Sequence, residues 1–258
     1  MVLPGKVEKY YKEKLETQGA MLFSLIDPDK FPMEKGEKIA KASYENGADA
    51  ILVGGSIGAQ GKVLDETVKM IKEACGGLPV VLYPGNVSGL SEYADAVYFM
   101  HMLNSRDVYW LSTVQIQAAP VVARSKLEAI PTTYVIIEPG RTVGWIGNAN
   151  VVPRERNDLA AACALAAKYT GSHVLITDAG SGAPLPTPPA MISAISQAIN
   201  GDLFYFNAGG VKTPEQAAEC IEAGANGIHV GNAFEEEASA RKIKEMSQAI
   251  RKAGRKKV

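Results

Sequence analysis

Eight short apolar runs, each followed by a stretch with helical patterning, leave this chain few ways to fold. The runs are Met21–Ile26, Ala50–Val53, Val80–Tyr83, Ala96–Met100, Tyr134–Glu138, Val174–Thr177, Leu203–Asn207 and Gly227–Val230. They are apolar on consecutive residues rather than on alternate ones. That is the pattern of strands covered on both faces, as parallel sheets flanked by helices require. Helical stretches of about 10–15 residues between them complete the βα units. Eight such units in 258 residues predict a closed (β/α)8 TIM barrel, one α/β domain spanning residues 1–258, since about 250 residues is typical of that fold. A doubly wound open sheet is the nearest rival. It calls for a GxGxxG after the first strand, whereas Asp27-Pro28-Asp29-Lys30 follow here and the glycines gather at late strands.

The punctuation agrees with this period. Asn46-Gly47 and Ala223-Gly224 end helices just before strands, and Thr213-Pro214-Glu215-Gln216 reads as a capping box with proline at the first helical position. An extra helix over Val7–Thr17 precedes the first strand, either plugging the barrel bottom or packing outside it. Basic and acidic residues number 27 and 28, without the extended positive surface that nucleic-acid binding uses. The basic cluster at Arg251–Lys257 suits a helix C-terminus or a solvated tail. Cys75, Cys163 and Cys220 are widely spaced in apolar helical stretches and read as buried free thiols of a reducing, cytoplasmic compartment. Neither a signal peptide nor an apolar run long enough to span a bilayer is present, which leaves a transient contact with a membrane surface open.

Three late strand ends carry small residues: Asp178-Ala179-Gly180-Ser181-Gly182-Ala183, Asn207-Ala208-Gly209-Gly210 and Val230-Gly231-Asn232. Glycine admits an anion to the backbone N–H groups, and in a barrel these loops adjoin at the catalytic face. A phosphate-bearing substrate is the expectation. Asp27 ends the first strand on that same face, with Asp29 two residues on. It is either a turn residue or the carboxylate of a Mg²⁺ that also touches substrate phosphate, and the hydroxyl of Ser56 in Gly54-Gly55-Ser56 is a plausible weak oxygen ligand. Lys30 is a phosphate partner or a solvated lysine. His101, His173 and His229 lack metal-ligand spacing, and His229 reads as a packed barrel histidine. Glu138–Gly147 is expected to be a lid that lays Val143 and Trp145 over an apolar substrate, with Arg141 near a phosphate. Ser105–Val122, with Tyr109-Trp110, lines a groove or an oligomer contact.

Ile26-Asp27-Pro28-Asp29-Lys30, Gly54-Gly55-Ser56, Tyr83-Pro84-Gly85-Asn86, Leu103-Asn104-Ser105-Arg106, Glu138-Pro139-Gly140 with Thr142-Val143-Gly144-Trp145, Ala179–Ala183 and Gly209-Gly210 stand in this order. Together they resemble the geranylgeranylglyceryl phosphate synthase family, in particular its archaeal-type second group, which is related to the heptaprenylglyceryl phosphate synthases. The resemblance covers nearly the whole chain. It implies a TIM barrel modified around the third helix, leaving a groove for a prenyl chain, and assembly as a dimer or hexamer. It implies transfer of a long-chain prenyl group from geranylgeranyl diphosphate to the C3 hydroxyl of sn-glycerol 1-phosphate, with release of diphosphate, in the first ether-bond step of archaeal lipid synthesis. It further implies that Asp27 and Ser56 hold Mg²⁺ against the diphosphate. Glycerol phosphate would then lie against Ile176, Thr177, Asp178, Ala179, Gly180, Ser181, Gly182, Gly209, Gly210, Gly231 and Asn232.

One segment departs from the family pattern. Where the family usually reads Tyr-Leu-Glu-Ala-Gly-Ser-Gly, this chain has Ile176-Thr177-Asp178-Ala179-Gly180-Ser181-Gly182. The tyrosine hydroxyl is missing, and Asp178 keeps the carboxylate that would act on the glycerol hydroxyl but draws it back by about 1.5 Å, where a misplacement of about 1 Å can cost on the order of 100-fold. A phosphate-handling barrel isomerase or lyase and a non-catalytic phosphate-binding barrel are the alternative readings. The first would need a catalytic lysine or paired aspartates at strand ends, where Lys30 is the one lysine on offer.

Overall fold

Among the described residues, eight parallel strands pair in chain order and the last closes onto the first. They are β1 (Met21–Ile26), β2 (Ala50–Val53), β3 (Val80–Leu82), β4 (Ala96–Met102), β5 (Glu128–Ile136), β6 (Val174–Asp178), β7 (Phe204–Ala208) and β8 (Gly227–Val230). The structure is a computed structural model that describes residues 3–55, 57–234 and 239–258. Around the barrel run α1 (Lys6–Gln18), α2 (Glu34–Glu45), α3 (Gly61–Ala74), α4 (Val114–Arg124, entered through a π turn at Tyr109–Thr113), α5 (Arg141–Ile146), α6 (Asn157–Tyr169), α7 (Pro189–Ile199), α8 (Pro214–Glu222) and α9 (Ser239–Gly254).

β5 begins six residues before its apolar run. Glu128, Thr132 and Thr133 hide the strand from a hydropathy reading, yet each has a specific partner. Thr133 meets Ser172 at 2.6 Å and His101 at 3.3 Å, Thr132 bonds the Ile130 carbonyl, and Glu128 serves α1. The expected alternation fails once. Residues 83–95, between β3 and β4, carry no helix. Pro84, Gly85 and Gly89 disfavour one, and Asn86 accepts from the Ser88 N–H at 2.8 Å in a local turn that competes with it. The wall of the barrel is therefore open beside β3 and β4.

α1 closes the opposite end. Tyr11 is fully buried there, its ring edge-on to Phe23, Phe204 and Phe206, with its hydroxyl 3.2 Å from that of Tyr98. No side chain of α1 caps its own N-terminus. The Glu128 carboxylate does so from β5, accepting from the N–H groups of Val7 at 2.7 Å and Glu8 at 3.0 Å. Gly5 makes room for it, since a Cβ there would stand 2.2 Å from the carboxyl carbon. Buried Glu8 in turn meets Nδ1 of His173 at 2.9 Å. Side chains inside the strands form one cluster, and those between strands and helices form two more.

Removing the borrowed cap leaves the orphan N–H groups of α1 facing an apolar barrel floor. Glu128→Ala is expected to lower stability by about 1–2 kcal/mol, read as a shift in the urea midpoint at unchanged slope. An unaltered midpoint would show that α1 is held by packing alone.

Candidate active site

The carboxyl ends of the strands surround a cavity of about 500 Å³. Asp27, Asp178, Ser181, Gly182, Gly209, Gly210, Gly231 and Asn232 all line it, so eight of the residues singled out by sequence meet in one place. Ser56 lies outside the described residues. Ile176, Thr177 and Ala179 do not line the cavity: Ile176 shares the face of Asp178 but lies a step deeper, strand alternation turns Thr177 outward, and Ala179 follows the end of β6. Ile176 packs inside the barrel, Ala179 is fully buried, and Thr177 faces outward to Tyr205 at 2.9 Å and Asn207 at 3.3 Å. Gly180 acts indirectly, its N–H already bound to Asp178.

The late loops interlock through backbone that only glycine permits. Gly209 has φ +76°, and a Cβ there would stand 2.5 Å from Oδ1 of Asp178 and 2.7 Å from the Gly180 nitrogen. Gly182 (φ +70°) has no such neighbour and presents bare backbone to the cavity. Ser181 donates to Oδ1 of Asn232 at 2.9 Å, tying the β6 loop to the β8 loop. Three cations line the same space: Lys30 from the first loop, Arg141 from the start of α5, and Lys212 after β7. A positive rim with glycine backbone on the late side suits an anion.

Asp178 is 8% exposed and held at both oxygens. Oδ1 accepts from the Gly180 N–H at 2.6 Å, and Oδ2 accepts from the Tyr134 hydroxyl. Burial pushes its pKa up, and these two hydrogen bonds partly offset the rise. Tyr134 answers the departure seen in the sequence. It is the register neighbour of Ile176 on β5, so a hydroxyl missing from β6 is delivered to the carboxylate from the adjoining strand. The sequence offered no sign of this, since Tyr134 sits in an apolar run and reads as core.

On the opposite side Asp27 accepts from the Asp29 N–H at 3.1 Å, with Nζ of Lys30 3.9 Å away. Burial raises its pKa as well. His101 bonds Thr133, and burial lowers its pKa. Deeper in the barrel His229 and Tyr83 line the cavity without hydrogen-bond partners.

A second, narrower space of about 80 Å³ opens where the helix after β3 is missing. It is walled by Leu90, Phe99, Trp110, Val114, Ala118 and Ile146 among others, nearly all apolar. Pro84, Gly85, Met100, Tyr134 and Val143 line both spaces, so groove and cavity adjoin. The 105–122 segment thus gives the groove one wall through Trp110 and α4. Within Glu138–Gly147 the short helix α5 (Arg141–Ile146) places Val143 and Ile146 on the groove but turns Trp145 away at 85% exposure. Contrary to expectation, Trp145 does not lie over the groove, because on a short helix residues 143 and 145 face different sides.

Fold and site together define a phosphate-binding barrel with an apolar side groove. The model of the PcrB family matches residues 13–250. Geranylgeranylglyceryl phosphate synthase of Thermococcus gammatolerans is 45% identical over 251 residues, covering 96% of this chain and 98% of the relative. That of Methanosarcina acetivorans is 44% identical over 247 residues, covering 95% and 99%. The chain belongs to the PcrB family. Among solved structures, (S)-3-O-geranylgeranylglyceryl phosphate synthase from Thermoplasma acidophilum, in complex with its substrate sn-glycerol-1-phosphate, superposes with a TM-score of 0.90 at 31% identity, covering 97% of this chain and 100% of that one. A thiamine phosphate pyrophosphorylase from Pyrococcus furiosus, at 16% identity and TM-score 0.59, shares the fold.

The interlock at Gly209 predicts that Gly209→Ala weakens binding of inorganic phosphate at least about tenfold by calorimetry, because the new methyl displaces both the loop and Asp178. Gly171→Ala, with φ +85° and open space around it, controls for backbone strain alone. Equal phosphate affinity in the two variants would refute the interlock.

Proposed function

We infer that this chain is a prenyltransferase that joins geranylgeranyl diphosphate to the C3 hydroxyl of sn-glycerol 1-phosphate and releases diphosphate. The observation that carries this reading is that the anion cavity and the apolar groove adjoin, with Tyr134 lining both and its hydroxyl bonded to Asp178 in the cavity. An isomerase acting on a sugar phosphate has no use for a hydrocarbon groove. Each CH₂ that enters it contributes about 0.8 kcal/mol, so a polyprenyl chain is held well by apolar walls.

Glycerol phosphate sits with its phosphate among Gly182, Gly209, Gly210 and Asn232, within reach of Arg141 and Lys212. Its C3 hydroxyl points to Asp178, and the diphosphate lies across the cavity near Lys30 and Gly54-Gly55. As the bond between the glycerol oxygen and prenyl C1 forms, the C1–O bond to diphosphate breaks and its electron pair leaves with the diphosphate. The hydroxyl proton passes to Asp178. A raised pKa makes Asp178 a stronger base than an exposed aspartate, and the Tyr134 hydrogen bond orients it. The groove walls keep water from the electron-deficient allylic carbon.

Mg²⁺ fits the donor set on the β1 side. No group of three or more His, Cys, Asp or Glu converges on a metal position among the described residues, but one carboxylate with substrate phosphate oxygens and water is an ordinary Mg²⁺ environment. Asp27 is half-buried with its nearest cation 3.9 Å away, which leaves its charge under-compensated until such an ion binds. Bound there, Mg²⁺ would neutralise charge on the diphosphate. Ser56 follows Gly55 and is the proposed second ligand.

Self-association and membrane contact also belong to this reading. Val108, Leu111, Ile116 and Val121 expose apolar surface around α4, and Trp145 adds to it from α5. A dimer or hexamer would cover part of that surface. No helix is long and apolar enough to cross a membrane among the described residues, so a cytoplasmic enzyme that meets its lipid-like substrate at the membrane surface is consistent with the fold.

Incubation with labelled geranylgeranyl diphosphate, sn-glycerol 1-phosphate and Mg²⁺ should give an organic-extractable product. Asp27→Ala is expected to abolish Mg²⁺-dependent turnover while glycerol phosphate binding stays within about twofold. Asp178→Asn should lower kcat about 10²–10⁴-fold. Because ionised Asp178 is costly in its buried setting, that cost grows as pH rises from the unfolded carboxylate value through the raised folded one. Asp178→Asn should therefore match or exceed the wild type in stability at neutral pH. Full turnover in either variant would remove that residue from the mechanism.

A further inference from the structure

The mechanism uses Asp178 and Tyr134 and leaves two buried polar side chains beside them unexplained. His229 is 3% exposed and Tyr83 is 8% exposed. Both ring nitrogens of His229 lack a hydrogen-bond partner, the hydroxyl of Tyr83 neighbours that of Tyr134 without a hydrogen bond of ordinary geometry, and both residues line the cavity. A buried polar group without a partner is a standing cost to the fold and calls for a ligand that repays it.

Their placement is determined by the barrel. Asp178, Ala208 and His229 are lateral register partners on β6, β7 and β8. All three line the cavity, and the small Ala208 between the two functional side chains leaves open space there. Rings of Phe23, Phe206, Tyr83 and Tyr98 hold the imidazole with centroids 4.9, 5.3, 5.6 and 5.9 Å away, which restricts its rotation. Tyr83 packs edge-on to Tyr134 at 5.8 Å, so it stands between the Asp178 pair and His229. The Tyr134 proton is committed to Asp178, and one oxygen of Asp178 is committed to Gly180. A polyol placed with one hydroxyl on Asp178 has its neighbouring hydroxyl without a partner in that pair.

We propose that His229 and Tyr83 form a second hydroxyl-recognition subsite, which takes the C2 hydroxyl of the acceptor and so selects a polyol phosphate over its deoxy counterpart. This rests on the glycerol phosphate reading given above. Burial pushes the pKa of His229 down to about 3, so the imidazole is neutral and offers one donor and one acceptor, as a hydroxyl needs. Sites built to bond a hydroxyl reject the analogue that lacks it, because their own polar groups are then left unpaired.

The test is calorimetric binding of sn-glycerol 1-phosphate, propane-1,3-diol monophosphate and inorganic phosphate to the wild type, Tyr83→Phe and His229→Phe. Tyr83→Phe deletes one unpartnered oxygen and should fold at least as well as the parent. The wild type is expected to bind glycerol phosphate at least about tenfold more tightly than the deoxy analogue. In each variant that preference should fall toward unity while affinity for inorganic phosphate is unaltered. Equal affinity for the two organic phosphates in the wild type, or a preference that survives both substitutions, would overturn the subsite. Because binding requires no prenyl donor, discrimination without lipid product counts against prenyl transfer alone. Product formation with equal use of both acceptors counts against the subsite alone.

Discussion

A carboxylate buried at the mouth of a barrel needs donors that do not move, and Asp178 takes one from its own loop and one from the next strand. The Gly180 N–H and the Tyr134 hydroxyl fix both oxygens, and much of the site follows from them. Gly209 must lack a side chain because the held carboxylate occupies the space one would fill. With that approach allowed, the β6 and β7 loops come together and expose backbone suited to an anion. Tyr134 bridges to the other compartment, since the same side chain that clamps Asp178 also forms part of the groove wall.

The two compartments have opposite solvent character and arise from opposite departures from a regular barrel. Glycine-rich late loops make an anion cradle by removing side chains. The missing helix between β3 and β4 makes a hydrocarbon groove by removing a whole layer, after which Trp110 and α4 on one side and Val143 and Ile146 on the other wall the gap. A long-chain diphosphate requires both kinds of surface joined at its reactive carbon. At the closed end, α1, capped by Glu128, packs Tyr11 against Phe23 and Phe206, which also flank His229.

Much of this was legible in the sequence, because the signals are local. Continuous apolar runs mark strands buried on both faces, and the register of the late glycines placed Ser181, Gly182, Gly209, Gly210, Gly231 and Asn232 in one site. What was hidden depends on closure. Tyr134 reads as core until β5 is set beside β6 in register. His229 reads as packing until its two nitrogens are seen to lack partners. Glu128 and Thr133 hide the start of β5 because their polar groups are satisfied by distant residues, and Thr132 because its hydroxyl turns back onto the Ile130 carbonyl. Thr177 misled in the reverse sense: it stands beside Asp178 at the end of β6, but strand alternation turns it toward the helices.

Polar cavity and hydrocarbon groove meet at Tyr134, and fluorescence can read the two halves separately. The chain has two tryptophans, Trp110 in the groove and Trp145 on the surface. In a Trp145→Phe variant the remaining emission reports the groove alone. Geranylgeranyl diphosphate should produce a saturable blue shift of Trp110, while inorganic diphosphate and glycerol phosphate, confined to the polar cavity, should bind without one. An identical response to inorganic diphosphate, or no response to the prenyl compound at saturation, would contradict the division.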